Sequence, residues 1–403
     1  MDARTGLPVV GVVGAGQLAR MMQQAAISLG QSVRVLADSA EDGAALVTAE
    51  VMVGDYRSLI DLRAFAAGCD VVTFDHEHVP NEHIAALAAD GVAVFPGAAA
   101  LRFAQDKSAM RAELAALGLP SPRWIDLSTD ADPAGALRSF GAEVGWPVVL
   151  KAARGGYDGK GVWVVDTLAA ATEQLAAAGN TPLLAEEKVA IVRELAADIA
   201  RSPFGQGAAW PVVQTVQVDG ICVEVVAPAP SLSEDLADEA QQIALRLAGE
   251  LGVVGVLAVE LFEVAEPDAR ALPGYSGRLL VNELAMRPHN SAHWTIEGSR
   301  TSQFEQHLRA VLDYPLGTST PTADVVVMAN LLAGPDDVVP KGIDERLHHC
   351  MARWPDVKIH LYGKAFRPGR KVGHVTALGT ELEAVRGRAR AAADYLANGA
   401  DRG

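Results

Sequence analysis

Residues Lys151 to Gly161 read K-A-A-R-G-G-Y-D-G-K-G, and the rest of the chain is understood outward from them. The apolar run Trp146-Pro147-Val148-Val149-Leu150 precedes this stretch, and Val162-Trp163-Val164-Val165 follows it. The pattern predicts a strand, a glycine-rich turn and a second strand, with Lys151 at the end of the first. Four glycines let backbone N–H groups come close to an anion, and two lysines supply charge. Such a loop suits a lid over a polyphosphate. It suits a mobile hairpin with solvated lysines equally well. It is not a P-loop, because no G-x-x-x-x-G-K-[ST] occurs in the chain.

The 403 residues are enough for two or three domains. Half are hydrophobic, so a large core can form. Thirty-four basic residues against 50 acidic ones give a net charge of -16, which repels nucleic acid and anionic membranes. Neither is expected as a partner. Any anionic ligand must then be held by local basic groups. Cys69, Cys222 and Cys350 are widely separated, with no disulfide framework or zinc spacing, which fits a reducing cytoplasm. Met1 to Pro8 lacks the basic-then-apolar order of a signal peptide, and no apolar run reaches membrane-spanning length.

The first part alternates short strands (Val9–Val13, Ser32–Leu36, Val71–Phe74, Val92–Phe95) with helical segments such as Gln17–Leu29, which predicts a βαβ arrangement. A helix near Lys107 to Leu117 closes it, and Gly118-Leu119-Pro120-Ser121-Pro122 marks a boundary. The middle part is strand-rich, with helices at Leu168–Ala178 and Glu234–Leu251, and reads as α+β. Pro315 to Pro321 marks a second boundary, before a strand at Val325–Met328 and an Ala-rich helix from about Glu381. The expected domains are 1–118, 119–317 and 318–403.

Four further constellations carry possible chemistry. Gly11-x-x-Gly14-x-Gly16-x-x-Ala19 lies between the first strand and first helix, and Asp38 stands where a ribose-binding acid would. This fits a nicotinamide-dependent dehydrogenase, another phosphate at a helix N-terminus, or a tight turn alone. Glu260 and Glu283 each interrupt an apolar strand, so each needs a cationic partner. As neighbours they would suit Mg²⁺; otherwise they form structural ion pairs. Arg287-Pro288-His289-Asn290-Ser291-Ala292-His293-Trp294 concentrates donors suited to a small oxyanion, or caps a helix through Asn290 or Ser291. Arg367-Pro368-Gly369-Arg370-Lys371, with Lys364 and His374 nearby, is a phosphate site or a solvated turn. His76, His78 and His83 lack a zinc-site spacing.

Together these segments resemble the ATP-grasp superfamily, and within it the 5-(carboxyamino)imidazole ribonucleotide synthases. The resemblance spans nearly the whole chain. It runs through G-A-G-Q-L-A-R-M from Gly14, T-F-D-H-E-H-V-P from Thr73, Q-D-K from Gln105 and the Lys151 loop. It continues through A-E-E-K-V from Ala185, N-E-L-A-M-R-P-H-N-S-A-H-W from Asn282, S-Q-F-E-Q-H-L-R-A from Ser302 and Y-G-K-A-F-R-P-G-R-K-V-G-H from Tyr362. The segments from Asn282 and Tyr362 are the specific ones.

The resemblance implies an ATP-grasp fold with a Rossmann-like preATP-grasp domain before it and a small C-terminal domain after it, working as a cytoplasmic homodimer. It implies ATP-dependent carboxylation of aminoimidazole ribonucleotide by bicarbonate, through carboxyphosphate. Lys107 and Lys151 are then expected at the ATP phosphates under Gly156, Gly159 and Gly161. Glu186, Glu187, Lys188 and Val189 are expected at adenine, Glu194 at ribose, and Asn282 beside Glu283. Glu260 and Glu283 are expected to bind Mg²⁺, with Arg287, His289, Asn290 and Ser291 around bicarbonate. Tyr157, Asp158, Lys160, Lys364, Arg370 and Lys371 are expected to reach the ribonucleotide, with Glu77 near its amine and Gln17 and Leu18 at its phosphate. The chain departs from the commoner family pattern at Lys107, Gln217, Met286 and Ala292, which touches local detail, and Gln217 is left out of the expected site. The rivals are a formate-dependent glycinamide ribonucleotide transformylase, an NAD-dependent dehydrogenase and a non-catalytic nucleotide-binding regulator.

Overall fold

The computed structural model describes residues 1–156, 159–267, 272–334 and 342–399. The run Val9–Val13 is buried along its whole length and forms strand β1. After it come α1 (Gln17–Leu29), β2 (Ser32–Ala37), β3 (Glu50–Val53), α2 (Leu59–Ala66), β4 (Val71–Phe74), α3 (Asn81–Ala89), α4 (Ala98–Gln105) and α5 (Lys107–Ala116). The four strands make a parallel sheet in the order β3-β2-β1-β4. Parallel pairing requires crossovers, and the helices supply them while covering the apolar faces. Val92–Phe95 is not a strand: Val94 alone bridges to Val72. The run lies between Gly91, which turns the chain at φ +89, and Pro96, which has no N–H to donate.

A second sheet holds the glycine loop. It contains β5 (Trp124–Asp126), α6 (Pro133–Val144), β6 (Val148–Ala152), β7 (Val162–Val165), α7 (Leu168–Ala178) and β8 (Leu183–Glu187). The strands are antiparallel in the order β5-β8-β6-β7. Alternation along β6 divides its side chains. Val148 and Leu150 pack with Leu137 and Phe140 of α6. Val149 and Lys151 face the opposite way, into a cleft.

The third sheet forms the other wall. It is built from β9 (Ile191–Arg201), β10 (Gly207–Ala209), β11 (Val213–Val218), β12 (Ile221–Ala227), α8 (Glu234–Glu250), β13 (Gly255–Val264) and β14 (Leu279–Ala285). A 3-10 turn at Asn290–Ala292, α9 (Thr295–Gly298) and α10 (Gln303–Val311) follow. The chain ends with β15 (Val325–Leu332), α11 (Ile343–Arg353), β16 (Lys358–Leu361), β17 (Lys371–Gly379) and α12 (Leu382–Asn398). Eight strands run β14-β13-β9-β11-β12-β15-β17-β16, with β10 beside β9. β15 pairs with β12 (Val226 opposite Val327), so the C-terminal strands extend this sheet. Helix α10 sends Phe304, Leu308 and Val311 into the core that also holds Val10, Val12 and Met22. Pairing and packing thus cross the chain boundaries expected from sequence.

Candidate active site

The sheet of β5 to β8 and the large sheet enclose a cleft of about 660 Å³. Val149, Val162, Val164, Ile191 and Phe262 give it apolar surface. Val162, Val164 and Ile191 are exposed, which is unusual for β-strand aliphatics unless something is to cover them. Five lysines (Lys107, Lys151, Lys160, Lys188, Lys371) and five glutamates (Glu186, Glu187, Glu194, Glu260, Glu283) also line it. In a chain of net charge -16, that lysine concentration is suited to an anion once the lysines turn from their glutamate partners. Gly156, Gly159 and Lys160 bring the glycine loop over the opening. Gly159 has φ +74 and lies against the turn between β11 and β12, where an added Cβ would stand 3.1 Å from the Gly220 Cα. Tyr157 and Asp158 lie outside the described residues.

Lys151 is held from below. Its Nζ is 2.8 Å from Glu186 Oε2 and donates to Asn282 Oδ1 at 3.0 Å. Glu186 in turn accepts from Arg111 Nε at 2.7 Å, while the other Arg111 nitrogens donate to the Val281 and Asn282 carbonyls. Arg111 is fully buried. Burial disfavours charge on Glu186, yet Arg111 and Lys151 together hold its pKa down to about 2. Lys151 is lowered by its own burial, with Glu186 opposing. The Glu187 carboxylate is likewise engaged, accepting from Arg123 Nε at 2.5 Å. Lys107 and Arg111 stand four apart on α5 and so project from one face. Asp106 caps that helix by accepting from the Ala109 amide at 3.0 Å. Lys107 pairs with Glu283.

Glu260 of β13 is directly opposite Glu283 of β14. Burial first, then Glu283 and Glu194, push the Glu260 carboxyl up to about 8. Its near neighbour is His289, with Nε2 at 3.3 Å. His289 is kept neutral by burial and by Arg287 and Lys371, its pKa pushed down to about 3. His289 also stands at the N-cap of the 3-10 turn, the place expected of Asn290 or Ser291, with Nδ1 2.8 Å from Ser291 Oγ. Asn290 instead exchanges amide hydrogen bonds with Asn330 of β15, at 3.0 and 2.8 Å. His289, Asn290 and Ser291 all reach the cleft.

The remaining expected residues divide. Lys364 bonds to Gln17, which joins the C-terminal segment to the start of α1. Glu77 accepts from the Met286 amide at 2.8 Å and ion-pairs with Arg287 at 3.4 Å. Arg287 therefore faces Glu77, whereas His289 to Ser291 face the lysines. Lys371 lines the cleft; Arg370 is exposed and donates to the Ala365 carbonyl at 3.2 Å. The Leu18 side chain is buried in the core of the first sheet, so only its main chain is available to a ligand. The dehydrogenase reading of the Gly14 turn fails sterically and electrically. The Asp75 carboxylate accepts from the Gly16 and Ala19 amides at 3.0 and 2.7 Å. Asp75 thus occupies two of the amides that a dinucleotide pyrophosphate would need, and leaves those of Gln17 and Leu18 to a smaller group.

Several residues of the site carry no clear sequence signal. Gln217, set aside above, lines the cleft and hydrogen-bonds Glu194, whose carboxyl is raised mainly by burial. Thr215, Cys222 and Phe262 are there by strand alternation, legible only once register is known. Arg111 could have been found from its spacing to Lys107.

Comparison with known proteins finds relatives over nearly the whole chain. The ribonucleotide synthetase preATP-grasp domain family matches residues 7–105, the ATP-grasp domain family residues 112–304, and the phosphoribosylaminoimidazole carboxylase C-terminal domain family residues 326–388. The chain is 57% identical over 394 residues to an N5-carboxyaminoimidazole ribonucleotide synthase of Mycobacterium tuberculosis, covering 97% of this chain and 88% of that one. The corresponding Thermus thermophilus synthetase structure superposes with a TM-score of 0.82 at 36% identity, covering 96% and 98% of the two chains. The Aspergillus clavatus synthase, solved with ADP and 5-aminoimidazole ribonucleotide, gives 0.84 at 30% identity, covering 97% and 98%.

Proposed function

The chain belongs to the N5-carboxyaminoimidazole ribonucleotide synthase family of ATP-grasp ligases, and we infer from its cleft how it carries out the ATP-dependent carboxylation of 5-aminoimidazole ribonucleotide in purine biosynthesis. One observation carries the reading. Lys107, Lys151, Glu260 and Glu283 share one cleft with His289, Asn290 and Ser291. A polyphosphate, a divalent cation and a small oxyanion thus have adjoining places.

ATP lies between the two sheets. The apolar plates Val149, Val164, Ile191 and Phe262 suit its base. The carboxylates of Glu186 and Glu187 are engaged by Arg111 and Arg123, so main-chain groups of 186–189 supply the polar edge for adenine. Glu194 and Gln217 suit the ribose. Lys107 and Lys151 neutralise the phosphates, and Gly156 to Gly161 cover them and exclude water.

Glu260 and Glu283 would hold Mg²⁺. The fit rests on their opposed placement and on the raised pKa of Glu260, both signs of negative charge short of a counter-ion. When bound, the ion neutralises charge that builds on the transferred phosphoryl group.

Bicarbonate belongs beside His289, Asn290 and Ser291, which orient it by hydrogen bonds. One of its oxygens attacks the γ-phosphorus, the bond to ADP breaks, and carboxyphosphate forms. The ribonucleotide amine then bonds to the carboxyl carbon, loses a proton, and phosphate leaves with the bridging oxygen. Lys160, Lys364, Arg370 and Lys371, with Gln17 and the Leu18 main chain, are proposed to hold the ribonucleotide, and Glu77 to orient Arg287 and the amine. Tyr157 and Asp158 are proposed to join them from the loop. The decisive assay is phosphate release with ATP, Mg²⁺ and bicarbonate, with and without the ribonucleotide. Stimulation by the ribonucleotide with matching carboxylated product supports the reading; ATP cleavage indifferent to it overturns it.

We also propose a homodimer formed through the first sheet, whose edge strand β3 exposes Val51 and Val53. Sedimentation of the full chain tests this. Among the described residues no helix is long and apolar enough to cross a membrane, and the three cysteines are free, consistent with a place in the cytoplasm.

A further inference from the structure

Asp198 puts a carboxyl group where the strand pattern calls for an apolar one. It lies in β9 on the same face as Ala196 and Ala200, which pack with Trp210, Trp294 and Met328. It is 1% exposed. Oδ1 accepts from Ser291 Oγ at 2.8 Å, and Oδ2 has no hydrogen-bond partner among the described residues. A buried carboxyl with an unsatisfied oxygen costs stability. An apolar side chain would match the strand face and the cluster chemically. The group therefore has a use other than holding the sheet together.

That use is visible one bond further on. Ser291 Oγ stands 2.8 Å from His289 Nδ1 as well as from Asp198, and His289 Nε2 reaches Glu260 at 3.3 Å. Serine has three staggered side-chain wells. A fixed acceptor behind it selects one: the hydroxyl proton goes to Asp198 Oδ1, so the Ser291 oxygen accepts from His289 Nδ1–H and in turn fixes the imidazole ring. We propose that Asp198 is a positioning residue for the bicarbonate pocket, holding Ser291, and through it His289, in the single orientation that meets the oxyanion. Asp198 itself touches neither ATP nor bicarbonate. The proposal rests on the bicarbonate reading of His289 to Ser291.

The test uses the full chain and four variants: Asp198→Leu, Asp198→Asn, Ser291→Ala and the double Asp198→Leu/Ser291→Ala. Each is assayed for the KM of bicarbonate, the KM of ATP, kcat and Tm. Asp198→Leu is expected to raise the bicarbonate KM about ten-fold, because small misplacements of orienting groups are costly, and the ATP KM less than about two-fold. Its Tm is expected to hold or rise, since an apolar side chain replaces a poorly satisfied carboxyl. Asp198→Asn, which still accepts from Ser291, is expected to recover several-fold of the loss. The double variant is expected to be no worse than Ser291→Ala alone, the mark of two residues acting through one hydrogen bond.

A lower Tm with equal losses for both substrates would make Asp198 structural and overturn the proposal. So would an unchanged bicarbonate KM, or losses that multiply in the double variant. If Asp198→Leu does not fold, Asp198→Val carries the same test with a smaller side chain. Ser291→Ala separates the two levels: an unchanged bicarbonate KM there refutes the pocket itself. A raised one there, without an effect of Asp198→Leu, refutes only the role of Asp198.

Discussion

Glu260 and Glu283 face one another across two adjacent antiparallel strands, with Lys107 paired to Glu283. Two carboxylates so placed repel. Once Lys107 turns to a phosphate, the pair needs a cation. We expect chelation to abolish ATP cleavage and Mg²⁺ to restore it. Glu260→Gln is expected to lower kcat by roughly 10²-fold or more, in line with the loss of other preorganised charges. Its Tm without metal is expected to rise, because a neutral amide replaces a carboxyl that burial and the neighbouring glutamates disfavour in its charged form. Metal-independent turnover in the wild-type chain would contradict this.

Arg111 and Glu186 form a fully buried pair that supports Lys151. Arg111→Met removes one partner and leaves a carboxylate in an apolar setting with Lys151 alone. The expected loss is about 3–5 kcal/mol, measured by urea unfolding. A loss under about 1 kcal/mol would mean the pair is not the support described.

His307 links the first sheet to the third. Its Nδ1 accepts from the Val256 amide at 3.1 Å, so Nε2–H donates to Thr73 Oγ1 at 2.8 Å. Burial pushes its pKa down to about 3. The folded value is below the unfolded one of about 6.5. The stability it contributes is therefore present above pH 6.5 and is lost as pH falls toward 3. His307→Gln is expected to be less stable than wild type at pH 7.5. The difference shrinks on acidification, by up to about 1.4 kcal/mol per pH unit. A constant difference from pH 7.5 to 4 would place the acid sensitivity elsewhere.

Lys364 meets Gln17 at the start of α1, far in sequence and adjacent in space. Lys364→Met is expected to raise the KM of the ribonucleotide about ten-fold, as a charge-assisted phosphate contact warrants, and that of ATP much less. Equal effects on both would move Lys364 out of the ribonucleotide site.

How far the sequence was readable follows a physical rule. Groups that violate the apolar pattern of their own strand stood out, as Glu260 and Glu283 did. So did the glycine loop, because few other roles need that density of positive-φ residues; Gly155, Gly159 and Gly161 all adopt it. Strand β9, the middle of the large sheet, was not read. Its I-V-R-E-L-A-A-D-I-A-R is rich in alanine, which favours helix, and small side chains there let neighbouring layers pack closely. Missing β9 also hid Asp198. Arg111 acts through a partner 75 residues away, Asn330 through one 40 away and Gln217 through one on another strand, and no local pattern reports that. The C-terminal strands belong to a family domain of their own, as the punctuation at Pro315 to Pro321 predicts, but that punctuation says nothing about which sheet the next strand joins.

Phosphorylation of bicarbonate beside the ribonucleotide can be followed with ¹⁸O-labelled bicarbonate in a single turnover, with mass analysis of the released phosphate. One ¹⁸O is expected in each phosphate formed with carboxylated product, because the bridging oxygen of carboxyphosphate leaves with phosphorus. Unlabelled phosphate at full product yield would rule out carboxyphosphate.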